Sequence, residues 1–196
     1  MSNEPNEPLR LAVIIGSNRE ARFGHVVGTW IATEAARRQD LAVDVIDLAD
    51  HDLPIVLSRD PSPEVAAELA KVSPRLAQAD AFVVVTPEYN HSYPASLKNL
   101  IDWHYTQWQA KPVGFVSYGG LSGGLRAVEH LRTVFAELHA VTVRDVVSLH
   151  MVWDKFDETG APKDDATQAA AKVLLDQLGW WGDALRRARA RVPYSA

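Results

Sequence analysis

The chain has 196 residues, 47% of them hydrophobic and 23% charged, which suits one folded domain with a substantial core and excludes a disordered polymer. With 25 acidic residues against 20 basic the formal charge is −5, so no broad basic face for nucleic acid is expected, and the expected partners are small molecules or other proteins. There is no cysteine, which removes disulfides, thiolate metal sites and cysteinyl-linked cofactors. No apolar stretch approaches the roughly 20 residues that cross a bilayer.

The opening "MSNEPNEPLR" has neither a basic start nor an apolar signal core, so a cytoplasmic protein is expected, with 1–8 as a disordered tail and 9–196 as a single domain. "LRLAVII" (9–15) is short, apolar and β-branched, the pattern of a strand covered on both faces. From His25 to Arg38 the residues Val26, Val27, Trp30, Ile31 and Ala35 fall on one helical stripe. "LAVDVIDL" (41–48) reads as a second strand, and 49–61 as a long connection. Ser62 followed by Pro63 is a helix start, and that helix runs to about Gln78. "ADAFVVVT" (79–86) is a central strand that Pro87 ends. A helix over 95–108 follows, then a strand at 112–118, a tight "GGLSGG" turn, a helix at 125–139 and a strand at 141–149. A loop (150–162) leads to a last helix over 163–190.

Strands alternating with helices argue for an α/β protein, a parallel sheet between helix layers, because parallel neighbours need crossover connections. Ligands in such sheets gather at the carboxyl ends of the strands. The loops 16–24, 87–94 and 118–124 should meet there, and they are the chemically unusual parts of the sequence. In "GSNREARFG" (16–24) the residues alone allow two readings. One is a solvated polar turn. The other is a phosphate cradle, in which a helix N-terminus offers unpaired N–H groups, Ser17 a hydroxyl, and Arg19 and Arg22 forked cationic donors. The loop is neither a Walker sequence nor the G-x-G-x-x-G dinucleotide fingerprint.

"TPEYNHSYPASLKNLIDW" (86–103) is more specific. With Gly16-Ser17-Asn18-Arg19 before it and "KPVGFVSYGGLSGG" (111–124) after it, the stretch resembles the NADPH-dependent FMN reductases, a flavodoxin-like family that includes quinone, azo-dye and chromate reductases. The matching residues are Pro87-Glu88-Tyr89-Asn90, Ser92, Pro94, Leu97-Lys98-Asn99 and Ile101-Asp102-Trp103, and the likeness spans 10 to about 150. It implies a flavodoxin-like three-layer sandwich whose five-stranded parallel sheet runs 2-1-3-4-5, with FMN at the carboxyl edge. On that resemblance Ser17, Arg19, Arg22, Phe23 and Gly24 surround the FMN phosphate. Pro87, Glu88, Tyr89 and Asn90 border the flavin ring, and Ser117, Tyr118, Gly119, Gly120 and Gly123 line its other edge. A flat, largely apolar slot with a few backbone donors and acceptors is what such a ring needs. The resemblance also implies NADPH as co-substrate and a ping-pong cycle that ends on a small acceptor such as a quinone. FMN carries the chemistry, so no catalytic side chain is assigned.

Leu97, Ile101 and Trp108 mark one stripe of the 95–108 helix and Leu100 and Trp103 another. A helix apolar on two sides is buried or meets a partner. Since family members commonly form dimers or tetramers, a homodimer or homotetramer is expected. Two other functions compete. An FMN-binding electron carrier would lack a nicotinamide site, but such carriers tend to be strongly acidic with hydroxyl-rich phosphate loops. A serine hydrolase would use Ser122 within "GLSGG", which formally satisfies G-x-S-x-G, with His150 as base and Asp145 or Asp154 behind it. The seven histidines show no metal-ligand spacing, so no metal is expected. "RRARAR" (186–191) suits the C-terminal dipole of its helix.

Overall fold

A computed structural model describes residues 7–195. Residues 1–6 of the expected tail lie outside the described residues. Glu7 and Pro8 are exposed, and their carbonyls accept from the Arg186 guanidinium at 3.0 and 3.4 Å. In chain order the elements are β1 (Leu9–Ile15), α1 (Gly24–Ala36), β2 (Leu41–Asp47), α2 (Pro63–Gln78), β3 (Ala81–Pro87), α3 (Ala95–Asp102), β4 (Pro112–Tyr118), α4 (Leu125–Glu137), β5 (Val141–Leu149) and α5 (Asp165–Arg191). Short 3₁₀ turns lie at Leu48–Asp50 and Val152–Asp154. The strands pair in parallel in the order β2-β1-β3-β4-β5, as the resemblance implies.

Burial explains why the central strands are unbroken apolar runs. Every residue of β3 and β4 is buried, whereas the edge strands β2 and β5 carry partly exposed positions. One face of the sheet packs on α1 and α5 through Val27, Trp30, Ile31, Leu174 and Leu178. The other packs on α2, α3 and α4 through Leu76, Leu97, Leu100, Leu131 and Phe135. There Trp108 is fully buried, with its ring centroid 4.8 Å from that of Phe82 and 5.4 Å from that of Phe135. Burying such rings contributes about 2–3 kcal/mol each.

Helix starts follow local chemistry where side chains can supply it. Ser62 accepts from the Val65 amide at the start of α2, and Asp164 from Thr167 at the start of α5. One element differs from its expected span: α3 ends at Asp102 rather than near Trp108. The indole N–H groups explain the break. Trp103 Nε1 donates to the Pro54 carbonyl at 2.8 Å and Trp108 Nε1 to the His104 carbonyl at 2.8 Å, which turns the chain back into the core. The two apolar stripes are thereby absorbed within the chain, Leu97, Leu100, Ile101 and Trp108 into the core and Trp103 against the 53–54 connection.

Candidate functional site

Parallel registration brings the three loops together. Gly16 N–H donates to the Val85 carbonyl at 2.8 Å, Pro87 lies opposite Tyr118, and Glu88 N–H donates to the Tyr118 carbonyl at 3.2 Å. Gly119 N–H donates to the Leu149 carbonyl at 3.2 Å, so the turn after β4 is also held by the end of β5. Side chains complete the junction. Ser17, fully buried, shares a 2.6 Å hydrogen bond with the Tyr89 hydroxyl, and Ser96 Oγ donates to the Gly16 carbonyl at 2.7 Å.

The first turn of α1 has no side-chain cap, since Phe23 at the N-cap position can supply none. Among the described residues the amides of Gly24 and His25 have no partner and are open to an anion, whereas Val26 N–H already donates to the Phe23 carbonyl at 3.1 Å. Gly24 is needed here for approach rather than for torsion, because a Cβ would lie 2.6 Å from the Tyr118 hydroxyl oxygen. That hydroxyl is buried beside Ser17, whose own hydroxyl is bonded to Tyr89, and among the described residues it has no hydrogen-bond partner. Burial pushes the Tyr118 phenol above its ordinary range, and the neighbouring Tyr89 adds to the effect. An uncapped helix start above an orphaned buried donor suits the phosphate end of FMN. The paired backbones of Pro87 and Tyr118, with Tyr89 beside them, suit the flat end.

The expected phosphate ligands have different surroundings. Arg19 is exposed and forms no ion pair among the described residues. Arg22 is held inward. Its two terminal nitrogens each donate to one Asp47 oxygen at 2.6 Å, and one also donates to the Ser17 carbonyl at 2.9 Å. The Asp47 hydrogen bond holds that guanidinium above its ordinary pKa even though burial opposes it. Arg22 thus shapes the loop through the chain's own carboxylate rather than facing outward. The Phe23 ring packs 5.8 Å from Phe156, so the backbone of Phe23, not its ring, faces the helix start.

On the far edge, Glu88 accepts from the Arg126 side chain at 2.9 Å and from the Arg126 backbone at 3.2 Å. Burial pushes the Glu88 carboxyl up, but hydrogen bonds from Ser122 and Arg126 outweigh it and hold the group below its ordinary range. The Gly123 carbonyl accepts from Ser117 Oγ at 2.8 Å and from Ser148 Oγ at 3.1 Å. Gly124, at φ 84°, starts α4 where a Cβ would lie 2.9 Å from the Tyr118 backbone nitrogen. Gly120 lies against Trp153, and Asn90 is exposed at the tip of the second loop.

Asp47, Ser96 and Arg126 escaped the sequence reading. Asp47 was recoverable, since the order 2-1-3 places the end of β2 beside the end of β1, and Ile15 is registered with Asp47. A cleft of about 510 Å³ opens beside Asn18, between the connection after β2 and α3, lined by His51, Ile55, Ser96 and Asn99 among others. None of the residues 87–90 or 117–123 lines it. The hydrolase constellation does not assemble. His150 Nδ1 lies 2.8 Å from the Leu121 carbonyl oxygen, and Asp145 is taken by Arg144 and Gln177.

Comparison with known proteins agrees with this geometry. Residues 9–154 match the family model described as NADPH-dependent FMN reductase. The chain is 37% identical over 122 residues to an NAD(P)H-dependent FMN reductase of Schizosaccharomyces pombe, covering 59% of this chain and 60% of that one. It is 30% identical over 195 residues to a quinone reductase of Escherichia coli K12, covering 94% and 99%. In fold it is similar to the flavoenzyme NAD(P)H:(acceptor) oxidoreductase FerB of Paracoccus denitrificans, with a TM-score of 0.72 at 24% identity over 90% of this chain and 98% of that one. The chain belongs to the NADPH-dependent FMN reductase family, and by that membership it is an FMN-dependent NAD(P)H oxidoreductase.

Proposed function

We propose that this chain passes reducing equivalents from NADPH to a small, flat acceptor of the quinone class at the carboxyl edge of its sheet. The observation that carries the reading is the junction itself: an uncapped helix start and an orphaned buried hydroxyl on one side, joined by the Ser17–Tyr89 hydrogen bond to the Pro87–Tyr118 pair on the other. When bound, FMN supplies reversible two-electron transfer. The chain's part is to bind, orient and admit. Ser17, Gly24, Tyr118 and the open guanidinium of Arg19 hold the phosphate, with Arg22 and Phe23 setting the backbone around it. Pro87, Glu88, Tyr89 and Asn90 frame one edge of the ring. Ser117, Gly119, Gly120 and Gly123 frame the other. One open site then serves dinucleotide and acceptor in turn, which makes the kinetics ping-pong.

We further propose that residues 9–196 act as one FMN-binding domain behind the 1–8 tail, in the cytoplasm, where NADPH is the reductant at hand. We expect a homodimer or homotetramer, supported by Ile55 and Val56 at 86% and 81% exposure and Trp180 at 67%. The test is purification followed by a visible spectrum, identification of released chromophore, and NADPH oxidation with and without a quinone. A yellow protein that releases stoichiometric FMN and oxidises NADPH with parallel double-reciprocal plots is expected. A colourless protein that takes up no added FMN overturns the reading. One that binds FMN but does not oxidise NADPH is a carrier.

A further inference from the structure

The loop after β3 ends in a two-residue hairpin. Tyr89 N–H donates to the Ser92 carbonyl at 2.8 Å and Ser92 N–H returns to the Tyr89 carbonyl at 3.0 Å. The central residues Asn90 and His91 both lie in the left-handed region, at φ 48° and 74°. Asparagine tolerates this conformation, but the second position ordinarily takes glycine, because a Cβ there crowds the backbone. The chain instead places an exposed imidazole at that tip. The His91 ring lies 6.1 Å from that of His130, on α4. His130 is itself oriented, since its Nδ1 lies 3.0 Å from the Ser92 hydroxyl, which leaves Nε2 for another partner.

Arg126 stands one helical turn before His130 on the same face, 46% exposed even while it holds Glu88. The carboxylates nearest these donors in sequence are already engaged, Glu88 by Arg126 and Glu129 by Arg132 at 3.4 Å, while Glu137 stands at the far end of α4. Two elements thus present two imidazoles and a guanidinium on the rim next to 87–90, with the adjacent carboxylates of Glu88 and Glu129 already paired. Donors that converge from separate directions are what a phosphate monoester requires.

We propose that His91, His130 and Arg126 form a subsite for the 2′-phosphate of NADPH, the group that distinguishes it from NADH. The inference rests on the NADPH-dependent reading above. A dinucleotide reacting at the 87–90 edge has to lay its remaining length along the rim, and this patch of one guanidinium and two imidazoles adjoins that edge. The subsite selects the donor and takes no part in the redox step.

The test uses the FMN-loaded protein with His91→Gly, His130→Gln and the double variant. Glycine suits the left-handed position, so His91→Gly keeps the fold, and glutamine keeps a group that can bond Ser92. Adenosine 2′,5′-bisphosphate and AMP are titrated by calorimetry, and KM is measured for NADPH and NADH. Each single variant is expected to weaken the bisphosphate on the order of three- to tenfold, with KM for NADPH rising in parallel, while AMP binding and KM for NADH stay constant. Unchanged bisphosphate affinity, or an equal loss for AMP and NADH, overturns the subsite while leaving the oxidoreductase reading intact. Failure of the parent protein to take up FMN or oxidise NADPH overturns both.

Discussion

The two ends of the sheet are built on opposite terms. At the amino edge the polar groups are satisfied within the chain. The Lys111 ammonium, 6% exposed, donates to the Leu76 and Ala77 carbonyls at 3.0 and 2.8 Å and so closes the end of α2. Asp80 accepts from the Arg10 amide at 3.1 Å and from Arg189 at 3.2 Å, with Arg186 at 3.7 Å. Even the left-handed residues there, Ala110 and His139, are joined by a 2.9 Å backbone hydrogen bond. At the carboxyl edge the Tyr118 hydroxyl has no partner among the described residues, α1 starts without a side-chain cap, and the left-handed His91 faces solvent. One end is finished by the protein. The other is finished by what it binds, at a cost in stability that the saturated end offsets.

Substitutions on each side break or sharpen that contrast. The largest effect is expected at the amino edge, where Asp80→Ala takes from Arg189 its carboxylate and leaves it beside Arg186, which keeps the Asp183 carboxylate at 3.9 Å. Stability by chemical denaturation should fall by about 2–3 kcal/mol, with FMN affinity unchanged. Lys111→Met tests the same end through pH. Burial lowers the folded-state ammonium to about 8, and Arg189 adds to that, while the unfolded lysine titrates near about 10.4. Between pH 8 and 10 the unfolded chain therefore binds more protons, and the parent gains stability as pH rises, by about 2 kcal/mol. The Met variant should lack that rise, and an identical slope in both proteins would refute it.

Arg19→Ala addresses the carboxyl edge. Its guanidinium touches no carboxylate among the described residues, so the melting temperature of the FMN-free protein should stay put while the FMN Kd rises about tenfold. An unchanged Kd would remove Arg19 from the phosphate site. Tyr118→Phe gives the smallest and most diagnostic effect. Deleting an unpartnered buried hydroxyl should stabilise the FMN-free protein by up to about 1 kcal/mol and weaken FMN, the reverse of Asp80→Ala. A loss of stability on that change would mean the hydroxyl is already satisfied.

Periodicity and turn chemistry read the architecture well, because both are local. The apolar runs that became β1, β3 and β4 are buried throughout or nearly so, and Ser62-Pro63 starts a helix for reasons contained in a few residues. The long motif at 86–103 also carried the family, and with it the strand order. Where a local pattern met a remote partner, the reading failed in detail. Nothing near residue 103 foretells that its indole N–H will find the Pro54 carbonyl and help end α3 there.

The sequence by itself determined the order of elements, the loops that would meet and the cofactor class they resemble, since alternation, capping and motif spacing are properties of neighbouring residues. Only the tertiary structure decided what each polar group does in those loops. It turned Arg22 onto Asp47, 25 residues away, sent the Phe23 ring to Phe156, bonded Ser17 to Tyr89 and left the Tyr118 hydroxyl alone. A buried donor takes the acceptor that the fold brings within reach, and sequence distance carries no information about which acceptor that is.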